Sequence, residues 1–405
     1  MFATFARTRA EFPRQFWILI GGTFINSFGA GMLFPFLTLY LFQSLGVSMT
    51  LVGVLLSLWS VSGLIGQLAG GSLADRIGRK PMMAFSLGAS ALFVILFGIV
   101  SALPLVALAI FLLGITGNAF QPARDAMIAD LIPEAKRAQA FALTRIAHNI
   151  GIGVGPALGG FLAAYSYVWL FAGNALFTFL FFGLTLIWIQ ETKPTRAASS
   201  ANSRVSASFA DVFRDARLII FCVGAVSVVV AASQMFTVLP VFMKNTNGLG
   251  ENYFGWIMTT NAAMVVTLQY AITRAGARFP RLPYAAVGAL FYGVGAASIA
   301  VATTFPHFIL AMGIVTIGEM IFAPTATAII ADLAPVELRG RYMAMLGLTW
   351  TVGFGIGPIL GGLISDTIAP RAAWLPAGLA AIVGAGIFLF LARIINAPKK
   401  VYGRG

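Results

Sequence analysis

The sequence predicts an all-α membrane protein of twelve spanning helices, arranged as two pseudo-symmetric six-helix bundles. Three observations carry this reading: the composition, a series of long apolar runs, and an internal repeat at half the chain length. Of 405 residues, 59% are hydrophobic and only 10% are charged, and the mean hydropathy is +0.91. The 13 acidic residues could not solvate the surface of a globule this size, whereas a bilayer demands no charged coat over most of the surface it touches. A soluble enzyme and a disordered chain are both excluded.

A spanning helix needs about 20 mostly apolar residues, because the hydrocarbon core is roughly 30 Å thick and each residue rises about 1.5 Å. Twelve segments qualify: 16–42, 51–73, 82–101, 105–129, 138–162, 168–189, 218–243, 253–273, 284–303, 307–331, 340–364 and 373–394. The runs are continuous and lack the alternating polar positions of a transmembrane barrel, so strands are not expected. The first run follows Arg7, Arg9 and Arg14, exceeds the length of a signal-peptide core and has no small-residue cleavage site, so it reads as a retained span.

With the chain start in the cytoplasm, the 26 Lys and Arg all fall on the inner side except Arg124 and Arg145 within helices and Lys244 and Arg371 in outer connections. The positive-inside rule therefore predicts a multi-pass plasma (bacterial inner) membrane protein with both termini cytoplasmic. It also accounts for the formal charge of +13 without a nucleic-acid partner. The single cysteine, Cys222, excludes an intramolecular disulfide, a cysteine metal cluster and a redox pair. Nucleotide loops and zinc-ligand spacing are missing from the sequence, so no enzymatic activity, metal or cofactor is expected.

The stretch 191–217 is the one long polar interval and reads as a cytoplasmic linker between an N-terminal bundle (1–190) and a C-terminal bundle (218–405). A shift of 202 residues brings Phe120, Pro122, Asp130, Leu131, Pro133, Arg137, Gly151, Gly155, Pro156, Leu158, Gly159 and Gly160 onto identical residues from Phe322 to Gly362. Two parallel six-helix repeats are the architecture of rocking secondary transporters, in which substrate binds near the midplane between the halves.

Between spans two and three the chain reads Gly71-Ser-Leu-Ala-Asp75-Arg76-Ile-Gly78-Arg79-Lys80-Pro81. Its glycines suit a tight cytoplasmic turn, and its charges can meet helix ends and acids on neighbouring spans. A positive-inside anchor on a glycine turn is the plainer reading, but an anchor needs no Asp75. Here the chain resembles the major facilitator superfamily, and the resemblance extends over nearly its whole length through Asn26, Gly29, Gly31, Pro35 and Tyr40 of span one and the turn from Asp130 to Arg137. The resemblance implies a latch in which Asp75 caps the start of span eleven and Arg76 and Arg79 reach Asp130, holding the outward-open state. Around Arg274 to Arg281 the second repeat has lost the aspartate, so a one-sided latch is expected.

Span five carries Gly151, Gly155, Pro156, Gly159 and Gly160, which is similar to the Gly-x-x-x-Gly-Pro-x-x-Gly-Gly signature of the superfamily's proton-coupled exporters. Small residues at this spacing also serve ordinary close packing, and span eleven repeats the pattern, so the likeness favours efflux over uptake without settling it. One departure counts: many drug exporters of the superfamily have an arginine where this chain has Ile110, and the proton step assigned to that arginine does not carry over. Arg124 and Asp125 instead resemble a subset of multidrug antiporters with an arginine lower in span four.

An ionisable side chain at the bilayer centre costs about 2.5 to 3.5 kcal/mol or more and is seldom there without a partner or a task. Glu319 stands at the middle of span ten, and its counterpart in span four is Gly117, so the repeat does not explain it. It is the expected proton carrier, with Asp125 as a second site; a structural carboxyl bonded to a neighbouring helix is the alternative. Gly114, Asn118, Gln121 and Asp125 recur at helical spacing and form one polar stripe. Arg124 sits about 100° from Asp125 around the helix, which points to Arg145, near His148 on span five, as the partner of Asp125. His148 alone reads equally as hydrogen-bonded packing.

Cavity candidates are Asn26, Asn118, Gln121, Gln234, Met235, Phe236, Asn261 and Met320, where polar or soft side chains interrupt apolar helices. Together these readings predict a monomeric carrier in the lipid bilayer that exports small lipophilic substrates, cations among them, in exchange for protons by alternating access. The alternatives are a proton-coupled transporter of one metabolite and a non-transporting receptor or scaffold on a transporter fold.

Overall fold

Apolar runs become helices, and their breaks fall where local chemistry demands. In the computed structural model, which describes residues 11–193, 209–335 and 338–396, every regular element is helical. Arg7, Arg9, the middle of the predicted linker and the chain end beyond residue 396 lie outside the described residues. The long helices are α1 (Arg14–Leu33), α2 (Met49–Ile77), α3 (Arg79–Ile99), α4 (Leu103–Leu131), α5 (Glu134–Tyr165) and α6 (Tyr167–Trp188) in the first repeat. The second repeat holds α7 (Ala216–Thr237), α8 (Glu251–Gly276), α9 (Arg281–Ser298), α10 (Phe305–Leu333), α11 (Arg339–Thr367) and α12 (Trp374–Asn396).

Pro35 sits in a 3-10 turn, Phe34–Phe36, after which helix resumes over Leu37–Leu45 and completes the first span. A proline cannot donate to the helical ladder, and the tighter turn absorbs the lost bond. Among the described residues, eleven helices are long and apolar enough to cross a membrane. The exception among the twelve is α8, which at 26 residues has the length but carries Asn252, Thr259, Thr260, Asn261 and Gln269 along it. These polar positions lower its hydropathy; its length and place match the expected eighth span.

The loop expected between spans two and three is smaller than its sequence suggested. α2 continues through Gly71 and Asp75 to Ile77, and Gly78 alone separates it from α3. Gly78 has φ +113°, a conformation that side-chain-bearing residues rarely adopt, so a glycine is required at this one-residue turn.

The described residues form two compact units. The first joins those up to Lys193 with 237–262, and the second holds 209–236 and those from 263 onward. The chain thus contributes the segment around the start of α8 to the first unit, a grouping that the division at the polar linker does not anticipate.

Within the first unit α2 packs on α4, α1 on α5 and α6, and α3 on α4 and α6. The span-five glycines explain how α1 and α5 come so close. A Cβ on Gly151 would lie 2.8 Å from the Phe24 carbonyl oxygen and the Phe28 nitrogen, and one on Gly155 would lie 2.6 Å from the Met32 nitrogen and the Phe28 oxygen. Gly159 faces Met32 and Phe36 on the same side, whereas Gly160 faces Gly255 and the Glu251 carbonyl at the start of α8. In the second unit α9 packs on α10 and α12, and Gly353 and Gly357 bring α11 onto α7.

Candidate functional site

Residues of α4 and α5 line a half-open cavity of about 220 Å³ in the first unit. Gln121, Arg124 and Asp125 line it from α4, and Phe141, Thr144, Arg145 and His148 line it from α5. Five of these seven stand out from sequence: Gln121 and Asp125 on the polar stripe of α4, Arg124 beside it, and Arg145 and His148 three residues apart on α5. Pro122 lies inside α4 next to them, and Ile110, at the position where many drug exporters have arginine, is fully buried.

The charge pairing differs from expectation. Arg124 donates from both Nε (2.9 Å) and Nη2 (2.8 Å) to Asp125 Oδ1, and its guanidinium carbon lies 5.2 Å from the centroid of the Phe120 ring. The 100° between adjacent residues on a helix separates their Cβ atoms, but the long arginine stem bends its head back across that gap. Arg124 is thereby a buried cation with a carboxylate on one side and an aromatic face on the other, both favourable to its charge. Arg145, the expected partner of Asp125, is exposed and makes no hydrogen bond or ion pair with any described residue. His148 Nδ1 and Ser27 Oγ of α1 share a 2.7 Å hydrogen bond, which ties the cavity wall to a third helix.

Glu319 belongs to the second unit and is the middle residue of the 29 in α10. It is half-buried. Its neighbour Gly318 presses α10 onto α9: a Cβ there would stand 2.7 Å from the Gly288 oxygen and the Tyr292 nitrogen. Tyr292, buried on α9, is close enough to interact with the Glu319 charge.

The other cavity candidates scatter. Asn26 Oδ1 accepts from Thr178 Oγ1 of α6 at 3.2 Å, and Asn118 Nδ2 donates to the Gly114 carbonyl of its own helix at 2.9 Å. Gln234 is buried in the second unit, where Nε2 donates to the Gly357 carbonyl of α11 at 3.3 Å and Oε1 has no hydrogen-bond partner. Met235 and Met320 are buried core residues with 2% and 0% exposure, so neither presents a surface to solute here. Phe236 is partly buried against Phe354, and Asn261 is half-buried on α8.

Where α2 meets α3 in the first unit, Arg79 is the hub. Its Nε donates to Asp130 Oδ2 at 3.1 Å, its Nη2 pairs with Asp75 Oδ1 at 3.2 Å, and its Nη1 donates to the Ala74 carbonyl at 3.2 Å. Arg76 takes no part through its side chain among the described residues; its carbonyl accepts from Lys193 Nζ. Sequence reasoning missed Glu191, which it placed in the linker. The Glu191 carboxylate accepts from the backbone N–H groups of Arg79 (3.0 Å), Lys80 (3.1 Å), Thr192 (2.8 Å) and Lys193 (2.8 Å), so it caps the start of α3. Burial pushes this carboxyl upward, but the four N–H groups outweigh it and hold it below the usual range.

The second repeat was expected to lack the latch, yet Arg281 pairs with Asp332 and donates to the Ala328 carbonyl at 3.0 Å. The shift of 202 maps Arg79 onto Arg281 and Asp130 onto Asp332. The lost member is the Asp75 arm, whose counterpart is Ala277.

A second cluster without a sequence signal lies in the first unit, opposite the latch. Tyr167 Oη is 2.7 Å from Glu251 Oε1 and 3.0 Å from Gln43 Oε1, while Lys244 Nζ donates to Gln43 Oε1 at 2.9 Å and pairs with Glu251.

The geometry can now be set beside known proteins. The family model described as Major Facilitator Superfamily matches residues 19–253 and 221–403. The chain is 29% identical over 392 residues to the uncharacterized MFS-type transporter YttB of Bacillus subtilis, covering 96% of this chain and 98% of that one. It is 28% identical to a Na(+), Li(+), K(+)/H(+) antiporter of Planococcus maritimus (84% and 87% covered) and 26% identical to the multidrug resistance protein MdtH of Escherichia coli (90% and 89%). The fold is that of a solved POT family transporter in complex with a thioalcohol conjugated peptide, with a TM-score of 0.79 at 16% identity over 95% of this chain and 97% of that one. Helices, repeat and matches agree: the chain is a multi-pass membrane transporter, not an enzyme, and it belongs to the Major Facilitator Superfamily.

Proposed function

We propose that the protein exports small lipophilic compounds, cations among them, in exchange for protons, with Glu319 as the coupling carboxyl and Asp125 as a second site. The observation that carries this reading is the placement of Glu319 at the middle of α10 in a repeat whose other copy has glycine. An ionisable side chain within a spanning helix is costly and seldom present without a task, and a carboxylate can exchange a proton for a cation. One site then supplies both coupling and charge selectivity, since proton and cation compete for it. Protonation from outside would release the cation, and deprotonation toward the cytoplasm would prepare the next cycle. The named functions of the Planococcus maritimus and Escherichia coli relatives, cation/proton antiport and multidrug resistance, are of the same kind.

In this reading the carrier works as a monomer in the bacterial inner membrane with both termini cytoplasmic, and Asp75, Arg79 and Asp130 latch one of its states. The Arg124–Asp125 ion pair stands beside the α4–α5 cavity and is the element a substrate entering there would disturb.

The test is efflux of a panel of lipophilic cationic dyes from proteoliposomes under an imposed pH gradient. Glu319→Gln, inserted at wild-type levels, should abolish gradient-driven efflux while leaving dye binding measurable. Undiminished active efflux by that variant would remove Glu319 from the mechanism.

A further inference from the structure

The α4–α5 cavity carries more positive than negative charge. Its wall holds two arginines, Arg124 and Arg145, against one carboxylate, Asp125. Arg124 spends two of its N–H groups on Asp125, and the pair cancels. Arg145 is left as an exposed guanidinium with no hydrogen bond or ion pair to a described residue. Arginine presents five N–H donors in a fork matched to carboxylate or phosphate. Around it the wall offers the Gln121 amide, the His148 ring held by Ser27 and the aromatic face of Phe141, whereas the Thr144 hydroxyl is already donated to the Ala140 carbonyl at 2.9 Å.

We propose that this cavity is an anion-recognition site, taking the carboxylate or a comparable acid group of an amphipathic substrate on Arg145, with the apolar part of the ligand against Phe141. The volume of about 220 Å³ accommodates such a group and part of its carrier, and the charge of the wall disfavours an ammonium there. The inference extends the substrate class of the proposed exporter to acids and zwitterions. It rests on that reading for its use in transport and not for binding itself.

The experiment therefore measures equilibrium binding by the purified full chain without any proton gradient. The probes are 2-naphthoate and its uncharged isostere 2-naphthamide, titrated by thermal shift or tryptophan quenching. Wild type should bind the acid at least about tenfold more tightly than the amide. Arg145→Gln should remove that preference while still binding the amide as wild type does, and Arg145→Lys should restore part of it. Equal binding of acid and amide by wild type, no binding of either, or a preference that survives Arg145→Gln overturns the proposal. Loss of both ligands in Arg145→Gln with normal binding in Arg145→Lys also overturns it, because the side chain would then be shaping the cavity and not reading charge. Failure of proton-driven efflux with the acid preference intact would refute the antiport reading alone.

Discussion

Arg79 and Arg281 occupy the same place in the two repeats and have different neighbourhoods. Arg79 is an almost buried hub, with side-chain exposure of 11%, joined to Asp75, Asp130 and a backbone carbonyl, beside a helix start capped by Glu191. Arg281 has a side chain 50% exposed and pairs with Asp332 alone among carboxylates. At the position matching Glu191 the second repeat has Arg393, and at the position matching Gly78 it has Pro280. The mid-membrane asymmetry runs the other way. Ser86 and Ser90 of α3 donate to Thr116 of α4 in the first repeat, whereas the matching positions Gly288, Tyr292 and Gly318 precede an added carboxyl, Glu319. Duplication supplied one scaffold; the first copy built a charged hub at the junction of α2 and α3, and the second added a carboxyl at the middle of α10.

The comparison can be broken most forcefully at Arg79. Arg79→Gln leaves Asp130 and Asp75 without their cation; losing one partner of a buried pair costs about 3 to 5 kcal/mol, and less here because Asp130 keeps 21% and Asp75 72% side-chain exposure. A clear fall in the thermal unfolding midpoint in detergent is expected, whereas Arg281→Gln should change it little, since exposed pairs are worth about 0 to 1 kcal/mol. Equal falls in the two variants would erase the distinction between the repeats.

Gly155 and Gly357 sharpen it at the next level. A Cβ on Gly155 meets backbone atoms of α1 at 2.6 Å, but one on Gly357 first meets the side-chain oxygen of Ser233 on α7. Gly155→Ala must move a helix, at a cost of about 1 to 3 kcal/mol for overpacking, and should destabilise more than Gly357→Ala. Differential scanning fluorimetry of both variants decides the order.

The smallest effect concerns Glu191. Its carboxyl is held below the usual range in the folded protein, so the stabilisation is fully present above the unfolded carboxylate value and is lost as pH falls through the folded one. A pH series of unfolding midpoints should show wild type losing more stability than Glu191→Gln on acidification below about 4.5. Parallel curves would mean that the cap contributes nothing measurable.

Much of the architecture was legible because bilayer thickness and helical rise dictate run length, and the repeat was visible residue by residue. Of the α4–α5 cavity the sequence shows the parts and not the whole: Gln121 stands out as cavity lining and Asp125, Arg145 and His148 as charged or titratable positions, but nothing in their spacing joins them into one pocket. What escaped depended on side-chain reach or on backbone donors. Angular spacing around a helix hid the contact of Arg124 with Asp125, because it tracks Cβ directions and ignores a flexible stem. The second latch pair was hidden by attention to the missing Asp75 counterpart, although the same shift of 202 already aligned Arg281 and Asp332. Glu191 read as linker because its four partners are N–H groups, which carry no sequence signature. Met235 and Met320 suggest cavity lining only through chemical softness, a property that suits a packed core equally well.

Proton release on substrate binding tests the central claim most directly. Adding tetraphenylphosphonium to the purified protein in weak buffer near neutral pH should release protons from wild type, because the lipophilic cation displaces them from Glu319. Glu319→Gln should bind the cation more weakly and release none. Proton release of the same size from Glu319→Gln would contradict the account.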